Sequence, residues 1–248
     1  MKKFIVFVLA GSFCFTVSAQ QLPQLTQYMM NDYAINPAVA GGKNYFQATT
    51  TVRSMWGDLG PKTTLLSIYG KKGENMGIGG MVYNDEEGPT SRIGGAVSYT
   101  HHFALTDEIK VALALSGGFL QYRLVKNQLT VADKDDPFFL GGDVVRSLPD
   151  ATFGINAYGK NWYAGFSVPQ LLSMNLNLLD DDFQENWDKE SEGKLVRHYY
   201  VLGGYKHILN PFWSLEPSLL FKHVTTTTQL DINVKATWDD KLWLGTGY

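Results

Sequence analysis

Five histidines, scattered carboxylates and a few strand serines are where chemistry would have to be assembled in this chain. His101 and His102 are adjacent. In a strand, neighbours point to opposite faces, so the two cannot share a metal ion. His198, His207 and His223 read onto two neighbouring strands, with His207 and His223 near opposite ends of the hairpin. Ser67, Ser98 and Ser167 sit in strand-like segments without a local base. Asp231 and Lys235 alternate on one polar face and read as paired charges rather than a catalytic dyad. Asp133, Asp135 and Asp136 could offer oxygen ligands, but no loop has the ordered spacing of a calcium site. Asp180 to Asp182 and Glu185 to Glu192 read as a solvated acidic loop. HExxH, GxSxG and phosphate-loop signatures are absent from the sequence. A lipid hydrolase or acyltransferase would need a Ser–His pair at a lipid-facing edge, and none assembles. The expectation is a protein that is not an enzyme, with no catalytic residues, no metal and no cofactor.

The elements that must position these residues are short alternating strands. In Trp213 to Lys222, Trp213, Leu215, Leu219 and Phe221 point one way, and Ser214, Glu216, Ser218 and Lys222 the other. Leu230 to Trp238 repeats the pattern. Eleven strands are expected, at about 44–53, 63–72, 76–84, 92–103, 108–122, 150–159, 161–168, 197–207, 213–224, 229–238 and 241–248. The connections after even strands are short. Those after strands one, three, five and seven are longer and more polar: Ser54 to Pro61, Asn84 to Ser91, Arg123 to Pro149 and Pro169 to Val196; only the one after strand nine, Thr225 to Thr228, is short where a long one is due. Outer-membrane barrels have this asymmetry, with short periplasmic turns and long outer loops. The fold class read here is all-β, an antiparallel transmembrane β-barrel of the outer membrane. On that reading, Leu219→Arg on the lipid side blocks assembly, and Leu220→Arg on the polar side is milder.

The N-terminus supports export. Met1-Lys2-Lys3 is basic, Phe4 to Phe15 is an apolar run of about a dozen residues, and Val17-Ser18-Ala19 fits a cleavage site. Cleavage near Ala19 removes Cys14, the one cysteine, so disulfides and thiolate chemistry drop out. It also removes Lys2 and Lys3 and no acids, taking the net charge from −3 to −5. Nothing in this balance suggests nucleic acid. No later stretch is long and apolar enough for a transmembrane helix, so any span must be β. The organisation read is a signal peptide at 1–19, a periplasmic or lumen-entering segment at 20–43, and a β-barrel domain at 44–248.

Three segments carry a family resemblance. Gln24 to Gly41 includes Gln27, Tyr28, Asn31, Asn36, Pro37, Ala40 and Gly41. Arg53 to Thr64 includes Arg53, Trp56, Gly57, Gly60 and Pro61. Asn161 to Leu172 includes Trp162, Tyr163, Gly165, Ser167 and Pro169. In this order they resemble the PorP/SprF family of Bacteroidetes outer-membrane proteins. Met55 stands where that family commonly has glutamine, and the Trp56–Pro61 spacing is shorter. The resemblance implies a non-enzymatic barrel of the type IX secretion system and, in gliding relatives, of adhesin export. It also implies partners: the periplasmic ring, peptidoglycan-linked lipoproteins, the secreted cargo's C-terminal domain and outer-membrane lipid. It further implies more strands than eleven, so the chain is expected to be incomplete at its C-terminus.

The residues themselves give these motifs local meaning. Pro37 fixes its own φ and holds Asn36 extended, so Asn36-Pro37 forms a turn. Gln24 to Gly41 lacks alternation and is expected to be ordered without being a strand. It is either a plug packed inside the barrel or a contact for periplasmic partners, and barrel closure is expected not to need it. The alternative for the whole chain is a generic porin or small-solute channel.

Overall fold

The computed structural model describes residues 27–55, 60–129, 142–176, 194–225 and 227–248. They form one antiparallel sheet of twelve strands. The strands are β1 (Gln47–Ser54), β2 (Lys62–Lys71), β3 (Met76–Glu87), β4 (Thr90–Ala104), β5 (Lys110–Leu124) and β6 (Val144–Tyr158), followed by β7 (Trp162–Val168), β8 (His198–Tyr205), β9 (His207–Ile208), β10 (Trp213–Val224), β11 (Thr227–Trp238) and β12 (Leu242–Gly247). Each strand pairs with the next in sequence, except that β8 and the two-residue β9 both pair with β10. No helix among the described residues is long and apolar enough to cross a membrane. β1 and β12 end the hydrogen-bonded path and do not pair with each other, so the closed ring expected of a barrel is not seen.

The period-two pattern becomes a two-faced sheet with inverted polarity. On β10, Leu219 is 52% exposed and Phe221 40%, while Ser218 is 3% and Lys222 8% exposed. The same holds across the sheet. Leu66, Ile68, Val82, Val97, Leu115, Val201 and Ile232 face out, whereas Ser67, Ser98, Thr100, Ser116, Ser167 and Asn233 are buried. A water-soluble sheet buries its apolar face, and a membrane-spanning sheet presents it to lipid. Phe103, Tyr205, Phe212, Trp213 and Trp238 are exposed near the short-turn end, where an interfacial aromatic girdle would lie. Inner-face charges pair across strands. Lys222 Nζ lies 2.8 Å from Asp231 Oδ2, and Lys235 Nζ 2.5 Å from Glu216 Oε2. Asp231 and Lys235 are thus each paired with β10, not with each other.

Three expectations are corrected, each for a backbone reason. The β3–β4 connection is not long. Pairing continues to Glu87↔Thr90, leaving only Gly88-Pro89, with Gly88 at φ +55°. Loop asymmetry therefore rests on the connections 55–61, 125–143 and 169–197. β6 begins at Val144 rather than near 150 and carries Pro149 inside it, opposite Phe119. Pro149 is tolerated because β7 pairs with β6 only from Phe153 onward, so no ladder bond is needed on that side. The strand read as 197–207 breaks at Lys206. β8 pairs with β10 from Ser218, β9 pairs at Ser214 and Leu215, and Pro217, which has no N–H, sits at the gap.

Candidate functional site

The site is the inner face of the sheet and the segment that occupies it. Residues 27–42 form three single turns of 3-10 helix, Tyr28–Met30, Asp32–Ala34 and Pro37–Val39. Asn36 is extended (φ −140°, ψ 109°), as a residue before proline must be, and its side-chain Oδ1 accepts from the Ala38 N–H at 3.0 Å. Gly41 then turns the chain at φ +87°, and a Cβ there would meet His102 Nε2 at 2.6 Å. The segment makes no sheet pairing of its own. Its polar groups bond to the surrounding strands instead.

Those bonds reach strands around the sheet. Tyr28 Oη donates to Ser218 Oγ on β10 (3.1 Å), and the Asn31 side chain accepts from Ser67 Oγ on β2 (2.9 Å). Asp32 accepts from Tyr69 Oη (3.0 Å), and Tyr33 Oη shares a 2.8 Å bond with Ser98 Oγ on β4. The Ile35 carbonyl accepts from Ser167 Oγ on β7 (2.6 Å), and Asn36 Nδ2 donates to the Ile155 carbonyl on β6 (2.9 Å). The Pro37 carbonyl accepts from Thr100 Oγ1 (2.9 Å), and the Ala40 carbonyl lies 2.8 Å from His102 Nε2. Apolar patches fill between them. Tyr28 and Ile35 pack with Tyr200, Leu202 and Leu220, and Ala38 packs with Ala112 and Ala114. The sheet is wrapped around the segment, which fills much of the polar inner face.

Glycines shape the seat. A Cβ on Gly77 would lie 2.0 Å from the Ala40 carbonyl oxygen, and one on Gly154 would lie 2.2 Å from Asn36 Oδ1. Gly79 lies under the Tyr33 ring, which stacks on Tyr69 at 4.6 Å between centroids. These inner glycines are close-approach positions, which explains their use in strands they would otherwise weaken.

Two cavities border the segment among the described residues. One, of about 280 Å³, lies toward the short-turn end and is lined by Asp32, Lys43, Tyr69, Asn156, Lys160, Trp162, Lys206 and Glu216 among others. The other, of about 80 Å³, lies toward the long loops, between Tyr33, Ile35 and Pro37 and residues such as Tyr83, Asp150 and Tyr200. Burial pushes the Asp32 carboxyl above the usual carboxylate range, opposed by the charge of Lys43 and the hydrogen bond from Tyr69. Among the described residues, no three His, Cys, Asp or Glu side chains are grouped to hold a metal ion.

The first and third motifs meet in space. Asn36 lies over Gly165, so that a Cβ there would touch its Nδ2 at 2.7 Å, and Ile35 bonds to Ser167. Tyr163 packs on the Tyr28 cluster. Trp162 covers Gly159 at the β6–β7 corner, and Pro169 lines the smaller cavity. Gln27 is exposed at the start of the segment. The second motif is elsewhere. Arg53 is the penultimate residue of β1, opposite Thr63, and Pro61 closes the loop through its carbonyl to the Met55 N–H (3.1 Å), one residue after Gly60. Trp56 and Gly57 lie outside the described residues, as do the Asp133–Asp136 and Asp180–Glu192 stretches and the leader. Ser67, Ser98, Thr100, His102 and Gly77 were not singled out from the sequence as parts of a site. Their signal is the recurrence of small and polar residues at alternate positions of β2 to β4, interspersed with Leu65, Tyr69, Met81 and Tyr83.

Residues 17–248 match the family described as type IX secretion system membrane protein PorP/SprF. The chain belongs to the PorP/SprF family. Among curated proteins, nothing matches it. Membership makes this protein a membrane component of type IX secretion, and the inside-out sheet fits the outer membrane.

Proposed function

We propose that this PorP/SprF protein is a plugged, non-catalytic scaffold of the outer membrane. It joins the periplasmic ring and peptidoglycan-linked lipoproteins to the C-terminal domain of secreted cargo, in protein secretion and, in gliding cells, in adhesin export. The leader at 1–19 directs it through the inner membrane and is cleaved near Ala19. The short-turn end faces the periplasm.

The observation that carries this reading is the filled interior. A porin needs a continuous aqueous path. Here the segment from Tyr28 to Gly41 is hydrogen-bonded to β2, β4, β6, β7 and β10 across the interior. That packing fixes the shape of the interior. The test is single-channel recording in a planar bilayer together with co-purification from native envelopes. The intact protein is expected to be electrically silent and to bring down secretion components. Stable stepwise conductance without such partners would favour the porin alternative.

A further inference from the structure

We propose that the 280 Å³ cavity at the short-turn end is a docking pocket for a short acidic peptide segment of a periplasmic partner. The inference rests on the orientation proposed above for this end. The cavity is a dead end, because the N-terminal segment forms its floor through Asp32, Val39 and Gly41. It can therefore receive something but not pass it. Its volume falls just under the ~300–1,000 Å³ usual for small-ligand sites, which suits one or two side chains on an extended strand rather than a folded domain.

The lining selects the chemistry. Lys43, Lys160 and Lys206 line the cavity against two carboxylates, Asp32 and Glu216. Both carboxylates are already engaged, Glu216 by Lys235 at 2.5 Å and Asp32 by the Tyr69 hydroxyl. Lys206 forms an exposed ion pair with Asp240 at 3.4 Å, a surface contact of small worth, and the charge of Lys43 acts on Asp32. Lys160 has no hydrogen bond or ion pair among the described residues, and it is exposed at the β6–β7 corner. Lys160 thus offers a positive charge to a carboxylate, and Lys206 on the same lining can exchange its exposed partner. A peptide supplies that carboxylate on an acidic side chain, carried on an extended backbone narrow enough for this volume. Tyr45, Trp162 and Tyr163 add flat apolar walls against which a chain can lie.

The experiment uses the full mature protein in nanodiscs and fluorescence polarisation with three labelled octapeptides of matched size: one rich in Asp and Glu, its Asn/Gln isostere, and a Lys-rich one. Binding of the acidic peptide is expected at least tenfold tighter than of the isostere, weakening with salt. Lys160→Glu combined with Lys206→Glu is expected to abolish that preference. Equal binding of acidic and isosteric peptides, or an acidic preference that survives the double reversal, overturns the proposal. Folding of each variant is checked by heat-modifiable migration. Asn75→Cys on the β2–β3 turn, probed with a membrane-impermeant maleimide on intact cells, tests orientation separately. Labelling there would overturn the periplasmic assignment without touching the peptide result.

Discussion

The two faces of β10 differ by one residue in position and entirely in what they demand. Leu219 faces outward, half exposed, where any apolar side chain serves. Leu220 faces inward at 0% exposure, packed with Tyr28, Ile35, Tyr200 and Leu202. The outer face is specified only by hydropathy. The inner face is specified by shape, by hydrogen-bond pairing and by glycines that admit one backbone. Apolar patterning thus sets which side meets lipid, while the N-terminal segment sets what the interior must be. The same contrast separates the motifs. The first and third form one interface, whereas the second caps a hairpin away from it.

The largest expected effect comes from removing what the inner face was built to hold. Deleting residues 27–42 strips partners from Ser67, Ser98, Thr100, His102, Ser167 and Ser218, each bond being worth about 0.5–1.5 kcal/mol net. It also empties the Leu220 and Ala112 clusters. Judged by its lack of strand pattern, the segment looks dispensable for folding. The packing argues the reverse, so the deletion variant is expected to give no heat-modifiable species on a gel. A folded deletion variant would reduce the segment to an ornament.

Next in size are the two leucines. Leu219→Arg places a charge in lipid and costs roughly 2–4 kcal/mol near the midplane. Leu220→Arg is expected to be at least as damaging, which reverses the sequence-based expectation that the polar face tolerates it. Alanine separates the faces more cleanly. Leu220→Ala leaves a cavity costing about 2–5 kcal/mol, and Leu219→Ala exchanges one lipid contact for another at little cost. Denaturant unfolding from detergent or bilayers measures both, and equal losses would erase the distinction between faces.

Glycine substitutions make the same comparison without charge. Gly154→Val must displace the Asn36 side chain and is expected to lower thermal stability. Gly117→Val on the outer face meets nothing within 4 Å and is expected to leave it unchanged. The smallest effect concerns Asp32. Its carboxyl is held above the usual range by burial, so seating of the segment is favoured while the group is protonated and weakens as pH rises through that raised value. Asp32→Asn keeps an acceptor for Tyr69 and stays neutral. Melting temperature should therefore fall more steeply for the parent than for the variant as pH rises from the ordinary carboxylate range. Parallel curves would remove Asp32 from the account.

Much of the sheet was legible because a period of two leaves little ambiguity. The eleven strands on the main path, the direction of Leu219 and the opposed His101 and His102 all follow from parity. Less legible were features set by a neighbour strand. Pro149 looked like a strand boundary, and only the short β7 beside it explains why it is not. Pro217 lies inside the alternating run Trp213 to Lys222, yet the β8–β9 break lies opposite it. Least legible was the site itself. Asn36 and the Ile155 carbonyl are 119 residues apart, and no local pattern announces that bond. The motifs marked which segments matter without marking that two of them touch.

The central claim is that residues 27–42 sit inside the sheet. Cys14 is the one cysteine of the sequence, so in a Cys14→Ser background single introduced cysteines report cleanly. Ala38 is fully buried against β5, while Gly73 in the β2–β3 turn has nothing within 4 Å of its Cβ position. In the folded protein in nanodiscs, Gly73→Cys should react with a polar maleimide within minutes, and Ala38→Cys should stay protected until denaturant is added. Labelling of Ala38→Cys at the rate of Gly73→Cys would place the segment outside the sheet and contradict the account.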